Sequence, residues 1–337
     1  MRLRASVIGL GPAGRGFHLG AWTFIKDTVP TCVFDPDPAT AELKHVTKKK
    51  CRHYTDLDRM FEEEDIDVLS ISSPPQFHLE QAQQAVRHGI RNLIIEKPLV
   101  TSVEELEGLR ELESQYGAKI CPIHNFKYQP GIQSIYNSFD KGELGEILHI
   151  ERTWLKCGDV ARMISDEKHW SHALPGGRWG ETMAHDLYTA MPLLGRLELV
   201  HVDARKTTGK WPWLSADEVT ILLRGKKQRG TLMIRYSANQ QENLFKHMTV
   251  HGSKAIAYTD GMRALQTIWP YPADETLPFT SPEKYVSGHY PLMGQAVEFF
   301  LGRTDERPIS WEEAGDVVKL TSQIGAEIEQ QVGYSRT

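Results

Sequence analysis

Short apolar runs alternate with segments of helical periodicity over the first third of the chain. The runs have the length of buried strands and lie at residues 4–8, 31–34, 68–71, 93–95 and 119–123. The helical segments lie at residues 56–61, 77–88 and 103–116. Ser102 and Glu105 have the spacing of a capping box at the start of the last helix. Because strands alternate with helices, this part predicts an α/β fold with a doubly wound parallel sheet and right-handed crossovers.

The pattern changes from residue 147 onward. Strands rich in β-branched and aromatic residues are predicted at residues 147–155, 199–205, 219–223, 230–236, 248–251 and 255–258. Turn-like pairs such as Arg224-Gly225 separate several of them, which favours an antiparallel or mixed sheet. Two helices, at residues 292–301 and 311–331, follow. A chain of 337 residues fits two domains, and we expect a Rossmann domain at 1–123 and an α+β domain at 124–337.

A glycine-rich motif follows the first predicted strand. Residues 9–14 read G-x-G-x-x-G, between a strand and a helix-like segment. The first glycine permits a tight turn, the second lets the backbone approach a pyrophosphate, and the third lets the helix pack on the strand. Asp35 ends the second strand, 21 residues after Gly14, where its carboxylate can accept hydrogen bonds from the adenosine ribose. This combination predicts a dinucleotide-binding site.

The charges beside that site favour NAD over NADP. A 2'-phosphate would meet Asp35 and Asp37, which carry like charge. The basic residues 48–50 and Arg52 are typical of a solvated helix end, although a nearby arginine is also a known phosphate partner. We therefore expect NAD as the cofactor.

The strand at residues 93–95 ends in Glu96-Lys97-Pro98. Proline cannot continue a central strand, so the charge pair stands at the carboxyl end of the sheet. Ligands of open α/β sheets bind at that edge, which makes Lys97 a candidate functional residue. The alternative is a solvated lysine at a strand end.

A second candidate pair lies in the second half of the chain. Apolar residues from Glu181 to Leu194 have the spacing of a helix with one apolar face, kinked or ended near Pro192. Glu181 and His185 are four residues apart and share a face, so the carboxylate can orient the imidazole. By spacing alone, an ordinary surface pair is the competing interpretation.

Together these motifs resemble the Gfo/Idh/MocA family of NAD(P)-dependent oxidoreductases. The Glu-Lys-Pro triplet is the most specific short signature of that family. The similarity also includes the residue 9–14 motif, the Ser73-Pro74 turn with His78, Asn125 with Pro130, and residues 142–146, 176–185 and 308–310. The resemblance implies a Rossmann domain followed by a domain with a large open-faced sheet, which commonly mediates dimers or tetramers. We therefore expect a homodimer or homotetramer.

The resemblance also implies roles for individual residues. An acid four residues before a histidine works in this family with the lysine of the triplet on a substrate hydroxyl. The expected catalytic residues are Lys97, His185 and Glu181. The expected cofactor contacts are Gly9, Gly11, Pro12, Ala13, Gly14, Asp35, Ser73, Pro74, His78, Glu96 and Lys97. The expected substrate contacts are Lys97, His124, Asn125, Tyr128, Trp154, Arg178 and His185. Glu181 stands where Asp or Asn is usual in the family, so its carboxylate reaches one methylene further.

The function implied is an NAD-dependent dehydrogenase or reductase acting on a sugar, a sugar derivative or a cyclic polyol. Two alternatives stay open: an NAD-dependent glycosidase that oxidises a sugar hydroxyl transiently, and a non-catalytic sugar-binding regulator of the same fold. His169, His172 and His185, with Cys157 upstream, raise the question of a metal, but the sequence has neither H-E-x-x-H nor paired cysteines, and no metal is expected.

Composition narrows the partners. The net charge of -5 gives no electrostatic reason to expect nucleic acid or an anionic membrane surface. The four cysteines are widely spaced without a C-x-x-C pair, which favours a reducing cytoplasm. No apolar run reaches membrane-spanning length, and the first residues do not have the pattern of a signal peptide. We expect a cytoplasmic protein with a small-molecule substrate.

Overall fold

The computed structural model describes residues 2–159, 161–227, 229–260, 264–268, 274–276 and 287–334, with the backbone alone in 241–247, 264–268 and 274–276. Contacts divide the chain into two compact units. The first contains residues 1–125 and 287–314, and the second contains the described residues of 126–286 and 315–337.

The first unit is built on a parallel sheet. Its strands are β1 (Leu3–Ile8), β2 (Thr28–Phe34), β3 (Arg52–Tyr54), β4 (Val68–Ile71), β5 (Asn92–Ile95) and β6 (Lys119–Pro122). They are ordered β3-β2-β1-β4-β5-β6 and all pairs are parallel. Every residue of β4 is buried, as expected for a strand covered on both faces. The strand order reverses between β1 and β4, which is where such sheets bind ligands. The doubly wound α/β prediction is confirmed.

The helices that the sequence predicted begin and end close to the predicted positions, and the structure contains further helices that were not predicted. The described α-helices are α1 (Leu19–Phe24), α2 (Lys44–Thr47), α3 (Leu57–Glu63), α4 (His78–Arg87), α5 (Val103–Tyr116), α6 (Pro130–Asp140), α7 (Arg162–Ser165), α8 (Arg178–Leu194), α9 (His289–Phe300) and α10 (Trp311–Val332). The Ser102 hydroxyl accepts the Glu105 N–H at 3.2 Å, and the Glu105 carboxylate accepts the Thr101 N–H at 2.7 Å. This arrangement caps α5 as the sequence predicted.

Residues 287–314 belong to the first unit, whereas the sequence placed them in a second domain of 124–337. Polar contacts attach this segment along its length. Lys119 Nζ donates to the Phe299 carbonyl at 3.1 Å, and Arg307 Nη2 pairs with Glu113 Oε2 at 2.8 Å. The apolar face of α9 is buried as well. Pairings across about 180 residues of sequence leave no local pattern, which is why the sequence did not indicate this return.

The second unit contains an eight-stranded sheet. Its strands are β7 (Ile147–Cys157), β8 (Leu197–Arg205), β9 (Glu218–Gly225), β10 (Thr231–Ser237), β11 (Asn239–Gly252), β12 (Ala255–Thr259), β13 (Ala264–Ile268) and β14 (Asp274–Thr276). The order is β14-β13-β12-β11-β7-β10-β9-β8. Only β7 and β10 pair in parallel among these strands, so the mostly antiparallel sheet is confirmed.

Helix α8 packs on this sheet, against β7, β8, β9 and β10. Fifteen of its residues are buried, and only Glu181 and Pro192 are not. The helix is therefore enclosed on all sides rather than amphipathic as predicted, and it continues through Pro192 to Leu194. In the part of the chain that the structure describes, none of the helices combines the length and the apolar character needed to cross a membrane.

Candidate functional site

The glycine motif forms a tight turn between β1 and the first helix. Gly9 has a φ of +84°, and a Cβ there would lie 2.7 Å from the Ser73 backbone nitrogen. A Cβ on Gly14 would lie 1.8 Å from the Gly9 carbonyl oxygen. A Cβ on Gly11 would meet no atom within 4 Å. Gly9 and Gly14 thus serve close packing, while Gly11 leaves open space where a pyrophosphate can approach the backbone.

Asp35 is fastened beside this turn. Its Oδ2 accepts the Leu10 N–H at 2.7 Å, and its Oδ1 accepts the Asp37 N–H at 3.0 Å. Each carboxylate oxygen has further acceptor capacity, so the side chain still suits ribose hydroxyls. Pro12 is exposed and begins the helical segment, followed by Ala13. These residues fit a dinucleotide cofactor in the manner that the sequence predicted.

His78 ties two loops at the same edge of the sheet. Its imidazole is buried between the carbonyl oxygens of Leu99, 2.9 Å from Nδ1, and Ser73, 2.8 Å from Nε2. Burial lowers the pKa of His78, and the two carbonyl acceptors act in the opposite direction. The Ser73 hydroxyl donates to Gln81 Oε1 at 2.6 Å, and Pro74 follows it before the 3₁₀ turn Pro75–Phe77. His78 thus holds the loop that follows Lys97 against the loop that follows β4. Its predicted contact with the cofactor stays a prediction.

Lys97 lies at the carboxyl end of β5, as predicted. Its side chain is half-buried, and its backbone N–H donates to Glu96 Oε2 at 2.9 Å. The peptide bond between Lys97 and Pro98 is cis. Glu96 is buried and also binds His18 and His289 through Oε1. The carboxylate is therefore a fixed anchor for the backbone that carries Lys97.

His124 and Asn125 both contact the segment that returns to the first unit. His124 Nδ1 lies 2.7 Å from Glu313 Oε1, and Asn125 Nδ2 donates to the Ser287 carbonyl at 2.6 Å. Both side chains are buried. These contacts show a structural role, and the predicted substrate contacts of these two residues stay predictions. Tyr128 is half-buried at the end of the turn Asn125–Tyr128.

In the second unit, aromatic rings enclose His185. Phe126 stacks on its imidazole with a centroid distance of 3.8 Å and an interplanar angle of 13°. Trp154 lies parallel at 6.2 Å. His185 Nδ1 hydrogen-bonds the Tyr188 hydroxyl, whose oxygen also accepts the Phe126 N–H at 3.2 Å. These neighbours fix the plane and rotation of the imidazole.

A buried ionic network lies beside His185 on α8. Asp186 is fully buried, and its Oδ1 accepts Arg152 Nε at 2.7 Å and Trp154 Nε1 at 2.9 Å. Its Oδ2 accepts the Tyr236 hydroxyl at 2.7 Å. Burial, followed by the charge of Asp186, raises the pKa of Tyr236 well above its ordinary value, so the hydroxyl stays a donor. The network fastens α8 to β7 and β10, and it gives Trp154 a packing role.

Glu181 pairs with Arg178 one turn before His185. Arg178 Nη1 donates to Glu181 Oε2 at 2.7 Å, and its Nη2 contacts the Met163 sulfur. The Thr182 hydroxyl also donates to Glu181, at 3.3 Å. Arg178 is buried and Glu181 is half-buried, so this pair is not a solvated surface bridge. The orienting action of Glu181 on His185 stays a prediction.

The sequence did not single out Asp186, Tyr188 or His289. Tyr188 stands three residues after His185, at a spacing that places both on one helix face, so a signal was available. Asp186 is recognisable through Arg152, Trp154 and Tyr236, which lie between 32 and 50 residues away. His289 is recognisable through Glu96, 193 residues earlier. Such long-range partners leave no periodic trace in a single sequence.

Comparison with known proteins agrees with this geometry. Residues 3–124 match the family model described as oxidoreductase family, NAD-binding Rossmann fold, and residues 132–258 match the GFO/IDH/MocA C-terminal domain. An uncharacterised oxidoreductase of Synechocystis sp. is 28% identical over 187 residues, which cover 54% of this chain and 49% of that protein. The match thus spans about half the length of that relative.

Solved structures have the same fold. The UDP-N-acetylglucosamine 3-dehydrogenase GnnA from Acidithiobacillus ferrooxidans superimposes with a TM-score of 0.78 at 19% identity, covering 98% of this chain and 99% of that one. An oxidoreductase from Agrobacterium radiobacter, in complex with NAD+, L-tartaric acid and magnesium, has a TM-score of 0.80 at 17% identity, and 97% of each chain is covered. With the two family models covering most of its length, the chain belongs to the Gfo/Idh/MocA family of oxidoreductases.

Proposed function

We propose that this oxidoreductase transfers hydride between NAD and a secondary hydroxyl or ketone of a sugar, a sugar derivative or a cyclic polyol. The observation that carries the proposal is the first unit's sheet edge, where the open backbone at Gly11 follows β1 and the anchored backbone of Lys97 follows β5, with β4 between these two strands. A dinucleotide loop and a lysine on an anchored backbone at one sheet edge suit an anionic cofactor and a developing alkoxide.

The chemistry proposed for the chain's own residues is proton handling. When bound, the nicotinamide supplies the hydride acceptor for oxidation and the donor for reduction. Lys97 hydrogen-bonds the reacting oxygen of the substrate and stabilises the charge that develops there. His185 takes the hydroxyl proton in oxidation and returns it in reduction. Arg178 holds Glu181 in place near the start of the same helix.

The proposed role of His185 requires one tautomer of its imidazole, and Tyr188 is the hydrogen-bond partner at Nδ1. For Nε2 to accept a proton, Nδ1 must carry its hydrogen and donate it to the Tyr188 oxygen. That oxygen accepts the Phe126 N–H with one lone pair, and its second lone pair can accept the Nδ1 hydrogen. We therefore include Tyr188 in the proposed mechanism as the residue that holds the hydrogen on Nδ1, so that Nε2 is free to accept a proton.

The substrate class rests mainly on relatives. The Acidithiobacillus structure is named as a dehydrogenase of a sugar nucleotide, and we extend the sugar class to this chain. The tryptophans add little, because Trp154, Trp179 and Trp211 are buried and their faces serve packing. The NAD-dependent glycosidase and the non-catalytic regulator stay as alternatives to be separated by experiment.

NAD is proposed over NADP on the surroundings of Asp35. Asp35 follows β2, where we expect the adenosine ribose to bind, and Asp37 adds a second negative charge. Two members of the basic run are engaged elsewhere: Lys49 donates to the Thr23 hydroxyl, and Arg52 pairs with Glu64. Asp35→Asn is expected to narrow the preference for NAD by about tenfold, because it removes a charge that repels a 2'-phosphate. Equal preference in wild type and variant would contradict this role.

Self-association is proposed through the outer face of the second unit's sheet. Along β7, Ile150, Arg152 and Trp154 are buried on the face that packs on α8, while His149 and Glu151 on the opposite face are only half-buried. Leu148 and Ile256 are exposed by 54% and 44%. Met233→Asp, on the outer row of β10, should shift the sedimentation coefficient toward that of the monomer, and an unchanged coefficient would reject this face.

The decisive experiment is a substrate screen of the purified protein with NAD. Sugars, sugar nucleotides and inositols are tested for NADH absorbance, and Lys97→Ala is compared with Lys226→Ala, which removes a lysine exposed by 56%. We expect NADH formation that Lys97→Ala lowers by at least about a hundredfold, with NAD affinity retained, while Lys226→Ala behaves as wild type. Sugar release without net NADH indicates the glycosidase, and tight sugar binding without turnover indicates the regulator.

His185→Ala in the Lys97→Ala background tests whether both residues serve one step. If both act on the same substrate oxygen, the second substitution costs far less than it does in wild type. Strictly multiplicative losses would contradict the proposed pair.

A further inference from the structure

Three buried side chains meet next to Lys97. His18 follows the glycine motif, Glu96 ends β5, and His289 begins α9. The two imidazole Nε2 atoms lie 3.0 Å and 2.8 Å from the same Glu96 oxygen, Oε1. The exposed fractions of the three residues are 0%, 5% and 5%. Two histidines from distant parts of the chain therefore bind one carboxylate.

The other oxygen of this carboxylate holds Lys97. Glu96 Oε2 accepts the Lys97 backbone N–H at 2.9 Å, so the carboxylate has three donors. Burial acts to raise the pKa of Glu96, but the hydrogen bonds from His18 and His289 oppose burial, and that pKa lies well below its usual range. Glu96 is thus a buried anion whose orientation depends on the two histidines.

The same three atoms have the spacing of a metal site, since they all lie within 4.8 Å of one another. The distal ring nitrogens argue against a metal. Among the described residues, Nδ1 of His18 and of His289 is buried without a hydrogen-bond partner. A metal on Nε2 would put a proton on each Nδ1 with no acceptor to receive it, whereas metal-bound histidines ordinarily donate that proton. If instead each imidazole is neutral and donates its hydrogen from Nε2, each Nδ1 carries only a lone pair and no hydrogen that lacks an acceptor. Burial lowers the pKa of His289, which favours the neutral imidazole.

We propose that His289 is a positioning residue that acts on Lys97 through Glu96, with His18 as its counterpart. Phe17 stacks on the His289 ring at 4.7 Å and 13°, which fixes the plane of the imidazole. His289, in the segment 287–314, thereby sets the orientation of the backbone at Lys97, and His18, after the glycine motif, contributes the second donor. Only the catalytic use of Lys97 rests on the proposed function; the donor arrangement does not.

The first test measures the reactivity of the Lys97 amine without any substrate. The full-length protein is treated with an acetylating N-hydroxysuccinimide ester, and the rate at Lys97 is followed by peptide mass spectrometry. His289→Gln keeps an N–H near the position of Nε2, whereas His289→Met has similar length and no donor. We expect His289→Met to raise the Lys97 rate by about threefold or more and His289→Gln to stay within about twofold of wild type.

Lys119 serves as the internal control for the docking of α9. Its Nζ donates to the Phe299 and Phe300 carbonyls at 3.1 Å and 3.4 Å, at the far end of that helix. If His289→Met detached the helix, Lys119 would become more reactive together with Lys97. A rise at both lysines would make His289 a docking residue and overturn the proposal, as would no rise at Lys97.

The second test asks whether His289 acts through Glu96. Glu96→Gln should raise the Lys97 rate as His289→Met does, and adding His289→Met to Glu96→Gln should change it little further. Independent, multiplicative effects would overturn the proposal. So would one equivalent of tightly bound zinc in the purified protein whose removal by a chelator changes Lys97 labelling.

Turnover supplies a third readout once the screen identifies a substrate. His289→Met should then lower kcat by about tenfold with little change in KM or in NADH affinity, and His289→Gln should restore most of kcat. If no substrate is found, the proposed function fails, and the labelling experiment still decides the role of His289.

Discussion

Two glycines of the dinucleotide motif should respond in opposite ways to one added methyl group. A Cβ at Gly11 meets nothing within 4 Å, so the free protein accommodates alanine there. Gly11→Ala should leave stability unchanged or raise it by about 0.5 kcal/mol, because alanine reduces the entropy of the unfolded chain. The methyl group would occupy the space where a pyrophosphate approaches, so NADH affinity should fall by about tenfold or more.

Gly14→Ala should have its first effect on the protein itself. Its Cβ would lie 1.8 Å from the Gly9 carbonyl oxygen and 2.5 Å from Ser72 Oγ. Relief requires the helix to move away from β1, and overpacking of this kind costs about 1–3 kcal/mol. The free energy of unfolding should drop by that amount even without cofactor.

Urea unfolding without NAD and NADH titration by fluorescence separate the two effects. Wild-type affinity in Gly11→Ala would refute the placement of the pyrophosphate at this turn. Wild-type stability in Gly14→Ala would refute the packing role assigned to the third glycine.

Two further predictions concern stability. Asp186→Asn removes the charge that compensates the buried Arg152, so the free energy of unfolding should fall by about 3–5 kcal/mol. Asp203→Asn, in a surface pair whose side chains are exposed by 44% and 60%, should cost less than about 1 kcal/mol. Similar losses for both variants in urea unfolding would contradict the role of the buried network. Burial lowers the pKa of His149, His169, His172 and His289 below the ordinary 6.5, so the unfolded chain binds more protons than the native protein and stability should fall as the pH drops through about 6.5. A urea midpoint that is equal or higher at about pH 5.5 than at about pH 7.5 would contradict that sign.

The first unit was largely predictable because local rules determine it. Most of its strands are short apolar runs, and most of the turns after them carry glycine or proline at the positions where the chain must change direction. The capping pair at Ser102 and Glu105 marked the start of α5 to the residue. The short strand β3 was missed, since three residues with polar side chains give no period.

The second sheet was predicted less completely. The sequence indicated only residues 248–251 of β11, which runs from Asn239 to Gly252. The first part of this strand is polar, and it is a strand because β7 supplies its hydrogen-bonding partners, with several register shifts. Strands formed by pairing with a neighbour rather than by their own pattern are not recognisable from one sequence.

For the candidate site, the sequence supplied the motif residues but not what holds them. Lys97 and His185 were identified through residue types and resemblance. His289, which binds Glu96 beside Lys97, is a partner from a distant part of the chain. Tyr188, which binds His185, is a local partner whose helical spacing the sequence did contain. The helix around His185 illustrates the difference. Its apolar face was correctly indicated, but its polar residues are buried too, because Arg152 and Tyr236 bind Asp186 from the sheet.

In the proposed reaction, Lys97 assists direct hydride transfer between a C–H bond of the substrate and NAD. The most direct measurement uses the substrate from the screen carrying deuterium at the reacting carbon, with the nicotinamide recovered and analysed by mass spectrometry. We expect one deuterium per turnover in the NADH formed by wild type, and loss of that transfer in Lys97→Ala, which still binds NAD. Deuterium transfer at the wild-type rate in Lys97→Ala, or turnover in wild type without deuterium in the cofactor, would contradict it.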